Sequence, residues 1–190
     1  MRVAVLASGN GSNFEAIAQA FETQAIQGEL VLLFSDRKDA YVLERAKKYQ
    51  IPRFSFSPKD FASKKQYEAA LRDLLLTNQI DFVVLAGYMR IIGQDLLETF
   101  PNRILNIHPS LLPSFPGLHG IKDAYDYGVK LTGITIHFVD AGVDTGPIVA
   151  QAAVEITNED TLATLEEKIH QLEHHWYPRV IADITQKGVK

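Results

Sequence analysis

In Ile104-Leu105-Asn106-Ile107-His108-Pro109, an asparagine and a histidine stand two residues apart at the end of an apolar run. Alternation along a strand puts Asn106 and His108 on one face and Ile107 on the other. A carboxamide can donate a hydrogen bond to a developing oxyanion, and an imidazole can move protons near neutral pH. The plain alternative is a histidine that only ties off a strand end through backbone hydrogen bonds. Downstream, Asp140 and Asp144 lie in a glycine-rich segment ending at Gly146, able to bend back over a neighbouring strand end. A carboxylate beside the histidine would favour its charged form. Either aspartate is a candidate, and either could be a turn residue. His108, His119 and His137 could also converge on a metal. These three show neither H-x-x-x-H nor H-E-x-x-H spacing, however, and histidines without a carboxylate pattern are a weak metal signal. No metal is expected.

A second candidate lies near the start, in Ser8-Gly9-Asn10-Gly11-Ser12-Asn13. Gly9 and Gly11 let the backbone turn sharply and approach a ligand closely. Ser12 or Asn13 can cap the helix that follows, whose free N–H groups favour an anion such as a phosphate monoester. A dinucleotide is the competing guest, because the loop contains G-x-G and Asp36 lies at the distance of a ribose-binding carboxylate. The third glycine of that fingerprint would fall at Phe14, too bulky for the close helix–strand contact. A tight turn with no ligand is the remaining reading.

These residues need elements to position them. Arg2–Ala7, Leu30–Ser35, Phe82–Ala86 and Arg103–Ile107 are apolar enough for buried strands. Helical spacing joins Phe14, Ile17, Ala18 and Phe21, and helices are also expected over Tyr41–Tyr49 and Lys65–Leu76. Strands separated by helices predict a mostly parallel sheet with helices on both faces. The pattern then changes. Thr132–Val139 and Ile148–Ile156 have only a Gly- and Asp-rich loop between them and are expected to pair antiparallel. A closing helix carries Leu162, Leu165, Ile169, Leu172 and Trp176 on one stripe, with His174 and His175 on its exposed or boundary face. The segment Pro109–Gly120, with three prolines and two glycines, predicts a rigid, shaped loop. In open α/β sheets ligands gather beyond the carboxyl ends of strands. That places Ser8–Asn13, Gly87–Ile92, Asn106–Gly117 and Val139–Gly146 around one site.

Composition sets the bounds. A chain of 190 residues suits a single domain over 1–190. It has no cysteine, which removes disulfides and thiolate metal sites. The formal net charge of −4 gives no global basic field for nucleic acid. No apolar run approaches a membrane span, and Val3–Ala7 is too short for a signal-peptide core. A soluble, cytoplasmic protein is expected.

Over essentially the whole chain the sequence resembles the folate-dependent formyltransferases, and within them the phosphoribosylglycinamide formyltransferase family. The matching stretches are SGNGSN at Ser8–Asn13, LAGYMRI at Leu85–Ile91 and LNIHPSLLPSFPG at Leu105–Gly117. The span from Gly133 through His137 and Asp144 to Gly146-Pro147 matches as well. The Asn-x-His-Pro-Ser-Leu-Leu-Pro block is shared by formyltransferases generally, whereas the Gly-Ser-Asn loop points to the narrower family. The resemblance implies a Rossmann-like α/β fold with an antiparallel C-terminal strand pair. It implies transfer of the formyl group of 10-formyltetrahydrofolate, as co-substrate, to the amine of 5-phosphoribosylglycinamide in purine biosynthesis.

By that resemblance Asn106, His108 and Asp144 are the catalytic trio. Gly11, Ser12, Asn13, Pro109 and Glu173 would hold the phosphate and ribose side of the acceptor. Lys64, Met89, Arg90, Ile91 and Ile92, with Asn106, would face the folate; at Lys64 a charge is kept without arginine's planar fork. The implied partners are these two small molecules, with no nucleic acid and no membrane, in a monomer or homodimer. Methionyl-tRNA formyltransferases add a nucleic-acid-binding domain and formyltetrahydrofolate hydrolases a preceding regulatory one, and neither is expected here.

Overall fold

The computed structural model describes residues 1–188. Apolar runs become strands where both faces can be covered. β1 (Arg2–Leu6), β2 (Glu29–Ser35), β4 (Phe82–Leu85) and β5 (Ile104–His108) are the buried parallel strands of a seven-stranded sheet. β3 (Arg53–Ser55), β6 (Leu131–Phe138) and β7 (Ile148–Glu155) complete it in the order β3-β2-β1-β4-β5-β6-β7. β1 pairs with β2 and β4 in parallel, while β5–β6 and β6–β7 are antiparallel. The sheet is thus the mixed one expected, with the direction change at β6.

Strand alternation divides the core. Val3, Val5 and Ala7 face one side; there they pack with Phe14 and Ile17 of α1 (Ser12–Glu22), Val42 and Ala46 of α2 (Val42–Lys48), and Leu165, Ile169 and Tyr177 of α6 (Leu162–Lys187). Ala4 and Leu6 face the other side, with Tyr67, Leu71 and Leu75 of α3 (Lys64–Thr77) and Leu96 of α4 (Gln94–Thr99). A further helix, α5 (Gly120–Tyr127), leads into β6.

Several local expectations change. β3, α4 and α5 are additional elements, all short. Neither Ser12 nor Asn13 caps α1: Gly11 takes the cap position in the left-handed region at φ 79° and no side chain caps it. The buried stripe of α6 runs through Leu165, Ile169, Glu173, Tyr177 and Ile181, leaving Leu162 only half-buried. His174 is half-buried and His175 exposed, as expected of a boundary face.

The sheet order reverses between β1 and β4, since the chain leaves β1 toward β2 on one side and later fills β4 and β5 on the other. Loops leaving adjacent strands there go to opposite faces and open a crevice. The segments after β1 and after β4, together with the end of β5, border it.

Candidate active site

The crevice is a cleft of about 580 Å³. Gly11, Ser12 and Asn13 line one wall, Met89 to Ile92 another, and Asn106, His108, Pro109, Asp144 and Glu173 complete it. Of the residues assigned to catalysis and to the two substrates, only Lys64 is absent from the lining; its exposed ammonium lies 3.4 Å from Glu68 at the start of α3.

At Gly11 the left-handed backbone and the neighbouring helix leave no room for a side chain, because a Cβ would stand 2.3 Å from Val42 Cγ2. The turn brings the first N–H groups of α1 to the cleft. Asn13 points away from the cap position and donates to Glu173 Oε2 at 2.9 Å, leaving its own Oδ1 buried without a partner. Glu173 is 6% exposed. Burial pushes its carboxyl above the ordinary glutamate range, against the opposing effects of the Asn13 hydrogen bond and of His170.

The folded chain therefore holds that proton at pH values where an unfolded chain has released it. Stability from this group is full below the ordinary value of 4.5 and is lost as pH rises through the folded-state value. Gln at position 173 has no proton to lose and can still accept from Asn13. The melting-temperature difference, Glu173→Gln minus wild type, should therefore grow as pH is raised from about 4.5 to neutrality. A difference that stays flat across that range would contradict the burial argument.

His108 is 4% exposed and meets an acceptor at each ring nitrogen. Nδ1 lies 3.4 Å from Asp144 Oδ2 and Nε2 lies 2.8 Å from the Phe115 carbonyl. A carbonyl can only accept, so Nε2 carries a proton, while Nδ1 faces the carboxylate at ion-pair distance. Asp144 is the aspartate that reaches it. Asp140 is used locally, accepting from Gly142 N–H at 3.0 Å and from Thr145 Oγ1 at 2.7 Å. Asp144 sits in the left-handed region at φ 55°, which aspartate and asparagine tolerate better than most residues. Its Oδ2 also accepts from Gly117 N–H at 2.8 Å. The bend that delivers it depends on Gly146, where a Cβ would fall 1.8 Å from the Phe138 carbonyl oxygen.

Asn106 faces the cleft, with its Nδ2 at 3.2 Å from His137 Nε2. The other nitrogen of His137 is 2.9 Å from the Phe138 carbonyl and must donate to it. In a neutral ring Nε2 is then an acceptor, so it takes one N–H of the Asn106 amide and fixes which way that amide faces. The second N–H is left for a ligand. His137 also lies 3.7 Å from Asp144 Oδ1. This ring was read from sequence only as a possible metal ligand. Its role as a bridge between Asn106 and Asp144 had no sequence signal beyond its place opposite Asn106 in β6. Among the described residues no group of three or more His, Cys, Asp or Glu gathers as a metal site.

The loop after β5 is held in shape. Thr135 Oγ1 donates to the Ser110 carbonyl at 2.7 Å, Leu112 N–H donates to Thr135 Oγ1 at 3.0 Å, and Gln151 donates to the Leu112 carbonyl at 3.0 Å. Beneath the site, fully buried Tyr177 reaches the carbonyls of Leu85 and Leu105 at 2.9 and 3.0 Å. It ties the end of β4 to the neighbouring β5. Leu118, Val143 and His170 also line the cleft. Only His170 had a sequence signal, its three-residue helical spacing from Glu173.

The dinucleotide alternative loses its supports in this geometry. Phe14 is fully buried against the sheet, and both oxygens of Asp36 are occupied by Ser8 and Arg90.

A helix N-terminus, an oriented amide and a carboxylate-held imidazole around one cleft make an acyl-transfer site. A model of the formyl transferase family matches residues 1–181, and the chain belongs to that family. It is 49% identical over 183 residues to the phosphoribosylglycinamide formyltransferase of Bacillus subtilis (strain 168), covering 96% of this chain and 94% of the relative. The crystal structure of phosphoribosylglycinamide formyltransferase from Bacillus halodurans superposes with a TM-score of 0.95 at 51% identity, over 98% of this chain and 96% of that one. The chain is also 45% identical, over its full length, to 14% of the trifunctional purine biosynthetic protein adenosine-3 of Drosophila pseudoobscura pseudoobscura.

Proposed function

We propose that this chain is a phosphoribosylglycinamide formyltransferase of purine biosynthesis, using 10-formyltetrahydrofolate as the formyl donor. The observation that carries the reading is one cleft in which a helix N-terminus and the Met89–Ile92 wall flank Asn106 and the His108–Asp144 pair. The substrate phosphate sits on the N–H groups at Gly11, Ser12 and Asn13, where a helix start favours an anion. The unpartnered Asn13 Oδ1 and buried Glu173 suit the hydroxyl donors of a ribose, with Pro109 beside them. The pterin lies along Met89, Arg90, Ile91 and Ile92. Lys64, outside the cleft wall, is within the folate assignment only as a group at its periphery.

The amine nitrogen of the acceptor attacks the formyl carbon, and the carbonyl oxygen becomes an oxyanion. The free N–H of Asn106 and the His108 ring beside it stabilise that oxygen. The proton released by the attacking nitrogen passes through water to the folate nitrogen as the carbon–nitrogen bond to the folate breaks. Asp144 holds the His108 ring in place. Holding both substrates in contact supplies the proximity advantage. All described helices are too short or too polar to cross a membrane; the reading carries with it a cytoplasmic single domain acting on small molecules, as monomer or homodimer.

The direct test mixes purified protein with 10-formyltetrahydrofolate and phosphoribosylglycinamide and follows the formylated product by mass spectrometry. No product sinks the reading. The phosphate assignment has its own test. Because any side chain at Gly11 strikes Val42, Ser12 is the cleaner position. A carboxylate there suits the helix start but repels phosphate. Ser12→Asp should raise KM for the phosphorylated substrate by about 10- to 100-fold, with the folate KM and the melting temperature nearly unchanged. An equal rise in both KM values would count against it.

A further inference from the structure

At the end of β2 the chain turns through Asp36, which is 2% exposed. A carboxylate taken out of water is unfavourable unless its oxygens are bonded. Here Oδ1 accepts from Ser8 Oγ at 2.6 Å and Oδ2 accepts from Arg90 Nε at 2.7 Å. Ser8 Oγ in turn accepts from Met89 N–H at 2.8 Å, and Ser8 N–H donates to the Gly87 carbonyl at 3.0 Å. Tyr88, between them, turns inward and pairs its hydroxyl with that of Tyr67 at 2.6 Å. Burial pushes the Tyr67 hydroxyl up to about 12, so the pair stays protonated and keeps its hydrogen bond at neutral pH. The segment from Gly87 to Arg90 is thus fastened from below at residues 87, 88, 89 and 90. Two of the fastenings, at 89 and 90, end on Asp36. With Nε taken, the planar guanidinium of Arg90 is fixed in orientation, while its half-exposed side chain borders the cleft.

We propose that Asp36 is a positioning residue for the donor half of the cleft, holding the Met89–Arg90 wall through Ser8 and Arg90 before the folate arrives. A preformed wall binds its ligand without first having to be ordered. This inference rests on the reading that Met89–Ile92 faces the folate.

The test is Asp36→Asn in the intact chain, assayed with both substrates. The asparagine keeps the shape but cannot accept from Ser8 and Arg90 at once. The KM for 10-formyltetrahydrofolate should rise about tenfold, with the KM for phosphoribosylglycinamide and the saturated kcat changed less than about twofold. Calorimetric titration with the folate should show the same loss without turnover. Adding Asp36→Asn to Arg90→Met should cost less folate affinity than it does alone, because the two share one contact. If Asp36→Asn fails to fold, Ser8→Ala is read instead: it frees Met89 N–H and should raise the folate KM selectively. An unchanged folate KM in a folded variant, equal rises in both KM values, or losses that multiply in the double variant would each overturn the proposal. The wild type separates the two readings. A wild type that transfers no formyl group sinks the proposed function, whereas an active wild type beside unaffected variants sinks only the role of Asp36.

Discussion

Asp144→Asn is expected to slow formyl transfer by about 100- to 1,000-fold, with both KM values within a few-fold of wild type. The substitution is nearly isosteric, and asparagine tolerates the left-handed backbone that residue 144 adopts. What disappears is the negative charge 3.4 Å from His108 Nδ1. The Phe115 carbonyl remains on Nε2 and still orients the ring. The loss therefore falls on the electrostatic support of the ring, which matters most when the oxyanion develops. His108→Ala should be comparably slow, and the double variant little slower than either single one, because residues acting as a unit do not contribute additively. Single-turnover rates of the three variants check this. Losses that multiply in the double variant would show that the two residues do not work together.

Asn106→Asp should be at least as damaging, with a fall of about 1,000-fold in kcat. The amide has one N–H committed to His137, at 3.2 Å, and one free for the ligand. A carboxylate of the same shape donates neither and adds a negative charge where the reaction creates another. In the neutral ring two acceptors would then face each other across the contact that oriented the residue. Asn106→Ser, which keeps a small donor, should retain more activity than Asn106→Asp. A rate in Asn106→Asp above about a tenth of wild type would rule out an oxyanion contact at this position.

What the sequence disclosed follows from what repeats along it. β1 and β4 are covered on both faces, so Val3–Ala7 and Phe82–Ala86 stand out as unbroken apolar runs. β3 has three residues, two of them exposed, and carries no such pattern. Strand alternation was enough to put Asn106 and His108 on one side. It could not choose between Asp140 and Asp144, because that choice depends on how a loop bends in space. Asp36 was legible only as a carboxylate at a suggestive distance from a glycine loop, and its engagement with Ser8 and Arg90 required the β1–β2–β4 arrangement. Tyr177 looked like one more aromatic on a helix. Its hydroxyl partners lie 92 and 72 residues earlier in the chain.

Helix α6 comes after every strand, yet it supplies Glu173 to the cleft and the Tyr177 hydroxyl to the carbonyls of Leu85 in β4 and Leu105 in β5. During synthesis Asn106, His108 and Asp144 are therefore made before the parts that finish their surroundings. A ribosome-bound chain stopped short of residue 173 has neither Glu173 nor the clasp across the sheet. On the proposed reading, the acceptor half of the cleft is completed only when this helix docks, and affinity for the phosphorylated substrate would double as a report that α6 is in place.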